Sequence, residues 1–288
     1  MAAWYEYFIK YIPFELQRFG YVIGVYILIT LIELALPAES GHGWRGRLRN
    51  LVFGLIYYTC GLAFLLAVMM FFPWTPRRID NAVLVILSTP WRIEFDGWVA
   101  TVGLAVTYLL MFDFFYYWYH RAQHQFSWLW QIHELHHADR ELNVTSSTRT
   151  YWLERPVQHL VVLLPAQFIV GKHANAMWIA SLVLTSFLLF THTNIRRHLG
   201  PLTRYLCGPH VHRIHHSRLR RHQDRNFAQI FTFYDVIFRT YYHPARDEFP
   251  ETGTQDLASD APLHTVLSRP FIQWCRSLLP GSREGARR

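Results

Sequence analysis

The sequence predicts an all-α protein, an integral-membrane helical bundle of about four to five spans with a water-facing helical cap. Three observations predict it. Of 288 residues, 51% are hydrophobic and 17% aromatic while only 17% are charged, against roughly a quarter charged in an average soluble domain. The apolar residues are clumped into long runs with the charges pushed between them, which excludes disordered, collagen-like and linker proteins. The charge is also uneven, since residues 1–119 hold 8 of the 28 Lys and Arg and residues 120–288 hold the other 20.

A span needs about 20 mostly apolar residues. Residues 21–36, closed by Pro37, residues 51–72, closed by Pro73, and residues 98–119 meet that need. Residues 157–170 and 176–191 are shorter arms separated by Gly171, Lys172 and His173, and they read as a helical hairpin that dips through the bilayer. Residues 82–87 are too short to cross and read as interfacial. Arg45, Arg47 and Arg49 precede the second run, and Arg121, Arg140, Arg149 and Arg155 follow the third, so both segments are expected in the cytoplasm. The loop with Arg77, Arg78 and Arg92 would then face the other side, as would the N-terminus. The organisation expected is N-terminal transmembrane helices over 1–119, a histidine-box region over 120–250 that includes the hairpin at 157–191, and a cytosolic tail over 251–288. Within the tail, 263–279 reads as an amphipathic surface helix, with a frayed end past Pro280.

Cys60, Cys207 and Cys275 are odd in number and widely spaced, so neither a disulfide framework nor a thiolate zinc site is expected. The opening Met-Ala-Ala-Trp-Tyr-Glu-Tyr lacks the basic region and short apolar stretch of a secretory signal, and insertion is expected to rely on the spans.

The chemistry lies in the histidines, of which there are 17. His120 and His124 form HX3H at the end of the third run. His133, His136 and His137 form HX2HH, and His212, His215 and His216 repeat it. On a helix, positions i, i+3 and i+4 share a face. Neutral imidazole suits iron, zinc, copper and nickel, and eight imidazoles exceed the ligand demand of one ion, so a dimetal site is the economical reading. His192, at the end of the second hairpin arm, is a ninth ligand at the same depth. His42, His159, His173, His243 and His264 are isolated, and isolated histidines are usually hydrogen-bonded or surface residues; His198, His210 and His222 lie near the clusters without matching their spacing. Ring nitrogens that face away from a metal need acceptors. Asp113, an acid inside an apolar run and in helical register with His120 and His124, is the first candidate. Glu134, Asp139 and Asp235 are weaker ones.

These residues resemble the fatty acid hydroxylase and sterol desaturase superfamily of membrane di-iron oxygenases, over residues 120–241. HRAQH is similar to its first histidine box, and HELHH followed by Asn143, Thr145 and Arg149 is similar to the second. HRIHHS, followed by Asn226, Asp235 and a Phe-x-Thr-Tyr ending at Tyr241, is similar to the third, and the FTHTNIRRHLGPL segment resembles the alkylglycerol monooxygenase branch. The resemblance implies a transmembrane bundle with a cytosolic cap holding two irons, ligated by His120, His124, His133, His136, His137, His192, His212, His215 and His216, with Asp113, Asn143, Arg149, Asn226 and Asp235 behind them. It implies O2 as co-substrate and insertion of oxygen into, or desaturation of, an unactivated C–H bond of a lipid such as a fatty acyl, sterol or alkylglycerol lipid. Fatty acid 2-hydroxylases carry a histidine where this chain has Leu188, which argues against that branch. No cytochrome b5 segment is recognisable, so a separate electron donor or diffusible reductant is implied.

Trp98, Phe112, Phe115, Trp118, Phe187 and Phe190 are candidate lining for a lipid tunnel, or ordinary packing and belt aromatics. Arg218, Arg220, Arg221 and Arg225 form a basic run that would meet phosphate headgroups, dock an acidic donor, or be a solvated loop. Two other readings stand beside the oxygenase: a His-ligated zinc hydrolase, although Glu134 is not placed as in HEXXH, and a metal-binding or transport protein, although transport sites lie at the midplane. A nucleic-acid partner is not expected, because the positive-inside bias accounts for the basic charge.

Overall fold

The computed structural model describes residues 2–71, 97–171 and 173–278. The expected loop with Arg77, Arg78 and Arg92, the interfacial segment 82–87 and the end past Pro280 lie outside the described residues. The order is α1 (Ala2–Ala35), α2 (Trp44–Phe71), α3 (Trp98–Gln125), α4 (Ser127–His137), a 3-10 turn (Val144–Thr148), α5 (Glu154–Gln158), a π turn (His159–Leu163), α6 (Leu164–Val170), α7 (Ala174–Thr191), α8 (Pro209–His215), α9 (Phe233–Ile237) and α10 (Leu263–Ser277). No strand occurs among the described residues, and one isolated bridge joins Ser217 to Thr252. The described residues are all-α, as the apolar runs predict.

α3 is the central element. Ala105, Tyr108, Leu109 and Phe112 on one of its faces meet Val162, Ala166, Ala176 and Ala180 of the hairpin, where small alanines let helix backbones approach closely. The first hairpin arm reaches this position through the π turn, just before Pro165, whose missing N–H and bulky ring disfavour a regular i to i−4 ladder there. α2 lies against the segment after α4 at two glycines. A Cβ on Gly54 would fall 2.8 Å from Thr148 and one on Gly61 2.5 Å from the Arg155 side chain, so any larger residue would push α2 away. α10 packs Val266 and Leu267 into the core beneath α4, together with Phe53, Leu129, Ile132 and Leu135.

By length and composition, Trp98–Gln125 is long and apolar enough to cross a membrane, while Gly20–Ala35 and Asn175–Thr191 are shorter apolar helices. Leu28, Leu31, Leu55, Val99, Leu160 and Ile169, from four different stretches of helix, are each more than half exposed. Half of the expected basic run is spent internally: Arg218 lies 3.6 Å from Glu251 and Arg221 lies 3.0 Å from Glu248.

A buried carboxylate of α3 gathers part of the irregular segment after α8. Asp113, fully buried, accepts backbone N–H bonds from Gln229 (2.8 Å), Ile230 (3.0 Å) and Phe231 (2.5 Å). Asp235 does the same for Phe227 (2.7 Å) and Ala228 (3.0 Å). Five consecutive buried donors in a stretch with no helix of its own are thus satisfied by two carboxylates. Asp113→Ala strands three of them and is expected to cost about 3 kcal/mol or more, read as a thermal midpoint lower by roughly 6 °C or more in detergent; an unchanged midpoint would overturn this role.

Candidate metal centre

Four elements deliver the nine histidines: the end of α3, the last turn of α4, the residue closing α7, and α8. One ring nitrogen from each meets others in two groups. His120, His124, His133, His137 and His215 form one, and His136, His192, His212 and His216 form the other, with ligand atoms inside each group within 4.8 Å of one another. In the first group Nε2 atoms approach to 3.0 Å (His120 and His133), 3.1 Å (His124 and His137) and 3.2 Å (His133 and His137). In the second they approach to 3.0 Å (His192 and His212), 3.1 Å (His212 and His216) and 3.2 Å (His136 and His192). The groups abut, with the rings of His137 and His216 stacked at 4.4 Å.

The helix turn angle explains the division. At 100° per residue, His133 and His137 differ by about 40° around α4, whereas His136 lies about 100° from His137. The pair therefore points into one group and His136 into the other. α8 repeats the pattern with the groups exchanged: His212 and His216 enter the second group and His215 the first.

The opposite ring nitrogens decide what the groups can hold. His120 Nδ1 donates to the Phe227 carbonyl, His215 Nδ1 to Arg225 and His192 Nδ1 to Leu188, each at 2.8 Å, and His133 Nδ1 donates to Glu154 Oε2 at 3.1 Å. A carbonyl cannot donate, so Nδ1 carries the proton and Nε2 presents a bare lone pair to its neighbours. Burial favours the neutral form of five of these rings, pushing His136, His137, His212 and His216 well below the usual histidine range and His215 down to about 3. Converging lone pairs repel unless a cation takes them, so the donor set fits a metal in each group, with imidazole as the only ligand type.

The residues expected behind the ligands act one step further out. Among the described residues, the side chains of Asp113, Asn143, Arg149, Asn226 and Asp235 meet backbone and other polar groups rather than ring nitrogens. Asp113, expected to face the histidines of its own helix, faces the backbone of 229–231 instead, because three N–H donors satisfy a buried carboxylate better than one ring. Asn143 caps the 3-10 turn through Thr145 N (3.0 Å), Arg149 ties Leu135 O (3.0 Å) to Asn50 (3.1 Å) and Ser259 O (2.9 Å), and Asn226 reaches Val211 O (3.2 Å) from a left-handed φ of 58°. Asp139 accepts from Asn50 (2.7 Å) and Ser146 (2.6 Å). His198, His210 and His222 and the five isolated histidines lie outside both groups.

Two acids that the sequence reading passed over are part of the site. Glu154 links His133 to Gln123, whose Nε2 donates to the same oxygen at 2.7 Å. Glu33 of α1, 1% exposed, accepts from Arg47 (2.8 Å), Val144 N (2.8 Å) and Asn194 N (2.7 Å), fixing the turn after His192. Both sit in or beside apolar runs, the same signal that singled out Asp113. The remaining acceptors are main-chain carbonyls, which carry no residue signature.

A cavity of about 160 Å³ reaches His133 and His136, one from each group, between α2, α3, the 3-10 turn and α7. Of the six aromatics expected to line a tunnel, Phe112 lines it. Trp98 and Trp118 are exposed, and Phe115 and Phe187 pack against the core, because those positions fall on other faces of α3 and α7.

Residues 105–240 match the fatty acid hydroxylase family. Over that stretch the chain is similar to a fatty acid hydroxylase domain. Alkylglycerol monooxygenase of Xenopus tropicalis is 26% identical over 257 residues, covering 87% of this chain and 53% of that protein. The human alkylglycerol monooxygenase is 28% identical over 156 residues, covering 54% of this chain and 33% of its own length. Ornithine lipid hydroxylase OlsE of Rhizobium tropici is 24% identical over 258 residues, covering 89% of this chain and 76% of that protein. The chain thus spans about half the length of the frog relative and a third of the human one. No solved structure matches the chain.

Glu134, the acid inside HELHH, turns away from both groups into a bidentate pair with Arg269 of α10, at 2.8 and 3.2 Å. Arg269→Ala is therefore expected to cost about 3 kcal/mol by leaving a buried carboxylate unpaired, while metal content by mass spectrometry stays at the wild-type value. Loss of metal would place Glu134 in the centre after all.

Proposed function

We propose that this chain is a membrane-embedded non-heme di-iron oxygenase that uses O2 and reducing equivalents to hydroxylate an unactivated C–H bond of a lipid. The observation that carries the reading is the division of HELHH and HRIHH between two abutting all-imidazole groups, within a stretch similar to a fatty acid hydroxylase domain, in a chain whose relatives are named as a monooxygenase and a lipid hydroxylase. His120, His124, His133, His137 and His215 would hold one iron, and His136, His192, His212 and His216 the other. The pair supplies the redox chemistry for activating O2, which no side chain offers.

The chain's own residues do the rest. Phe227, Arg225, Leu188 and Glu154 hold protons on the Nδ1 atoms and keep each Nε2 available. Burial of eight of the nine histidines and of the segments over them limits bulk water at the centre. The cavity beside His133 and His136 seats the part of the lipid to be oxidised. The apolar outer faces of α1, α2, α3 and the hairpin support a multi-pass membrane protein of four to five spans, with 1–119 as membrane helices, 120–250 as the histidine-box region on the cytoplasmic side and 251–288 as the tail. Electrons would come from a separate protein or a diffusible reductant. The hydrolase alternative loses its base, because Glu134 is paired with Arg269.

Protein purified in mild detergent from iron-replete cells is expected to hold about two irons per chain, and His136→Ala and His137→Ala are each expected to hold about one, since each removes a ligand from a different group. With a reductant and 18O2, a lipid extract is expected to gain labelled hydroxyl groups, and to gain none with either variant. Zinc in place of iron, or a metal content indifferent to both substitutions, would overturn the reading.

A further inference from the structure

The cavity beside the histidines has, among apolar walls such as Phe112, Leu184 and Leu188, several polar groups that an alkyl chain alone would not need. Tyr57, Tyr116, Ser147, Thr185, Glu154 and Gln229 all line it. Two of them keep a buried polar atom without a partner: Glu154 Oε1 is an open acceptor and Gln229 Nε2 an open donor. Both are otherwise rigidly held. Glu154 Oε2 is taken by His133 and Gln123, and the Gln229 backbone N–H by Asp113. Glu154 is 5% exposed and Gln229 6%, and a buried polar atom left unpaired is costly. An unpaired donor and an unpaired acceptor on two residues that line the same cavity match the group that both donates and accepts, a hydroxyl.

Resting on the lipid-oxygenase reading above, we propose that Glu154 and Gln229 recognise a hydroxyl-bearing part of the lipid and so place a carbon next to that group, rather than one in mid-chain, beside His133 and His136. A hydroxyl donates to Glu154 Oε1 and accepts from Gln229 Nε2–H. A lipid whose hydroxyls are blocked leaves both atoms unpaired, and sites built around such bonds reject analogues that lack them.

The test is equilibrium binding of two radiolabelled probes, 1-O-hexadecylglycerol and its 2,3-di-O-methyl ether, to the full-length metal-loaded protein in detergent. Wild type is expected to prefer the free diol by about tenfold or more. Gln229→Leu, which keeps the backbone bond to Asp113, is expected to reduce the preference below about threefold with metal content unchanged. Glu154→Gln, which replaces a charged acceptor by a neutral one, is expected to reduce it severalfold, and either variant suffices if the other does not fold. Equal binding of the two probes by wild type, or a preference that survives in the folded variants, would overturn the proposal. The same preparations assayed for 18O incorporation separate the two readings: discrimination without oxidation of any lipid supports the recognition pair and sinks the oxygenase, and oxidation without discrimination does the reverse.

Discussion

Nine imidazoles, eight of them buried, bring their Nε2 atoms to two neighbouring points, and most of the structure serves that arrangement. Lone pairs alone repel at 3.0 to 3.2 Å, so the arrangement needs positive charge at each point and a rigid frame around both. Part of that frame is the outward Nδ1 bonds of His120, His133, His192 and His215. These end mainly on carbonyls of the irregular segments 225–227 and of the last turn of α7, so a small shift of that backbone would rotate a ring and redirect its lone pair.

Those irregular segments carry no ladder of their own, and buried acids take its place. Asp113 and Asp235 gather the N–H groups of residues 227–231, Glu33 gathers Val144 N and Asn194 N, and Glu154 takes the ring proton of His133. A carboxylate has room for several donors, which explains why each of these acids stands in or beside an apolar run despite the cost of burying it. Each joins elements far apart in sequence: Glu33 links α1 to the segments after α4 and α7, and Asp113 links α3 to the segment after α8. The histidine groups therefore sit where the bundle is most heavily cross-tied.

Much of this was legible in the chain. Apolar runs foretold α1, α2, α3, the hairpin and the amphipathic α10; histidine spacing singled out eight of the nine residues that converge, and its place at the end of the hairpin singled out the ninth, His192. The supporting residues were misjudged in a consistent way. Asp113 and Asp235, read as acceptors for ring nitrogens, accept instead from the N–H groups of residues 227–231, and the rings of His120, His192 and His215 find main-chain carbonyls, which leave no mark in the sequence. Glu154 and Glu33 were missed although they carry the signal used for Asp113. The aromatic lining was assigned by residue type, while the cavity wall is chosen by helix face.

The sequence by itself determined the elements, their apolar faces and the number and type of ligand donors, since these follow from local periodicity and spacing. Tertiary structure alone decided that the boxes interleave, with His136 leaving its own helix's pair to join His192, His212 and His216, and His215 crossing the other way. A 100° step between adjacent residues sends neighbours in different directions. Only the packing of α3, α4, α7 and α8 against one another fixes what each direction meets.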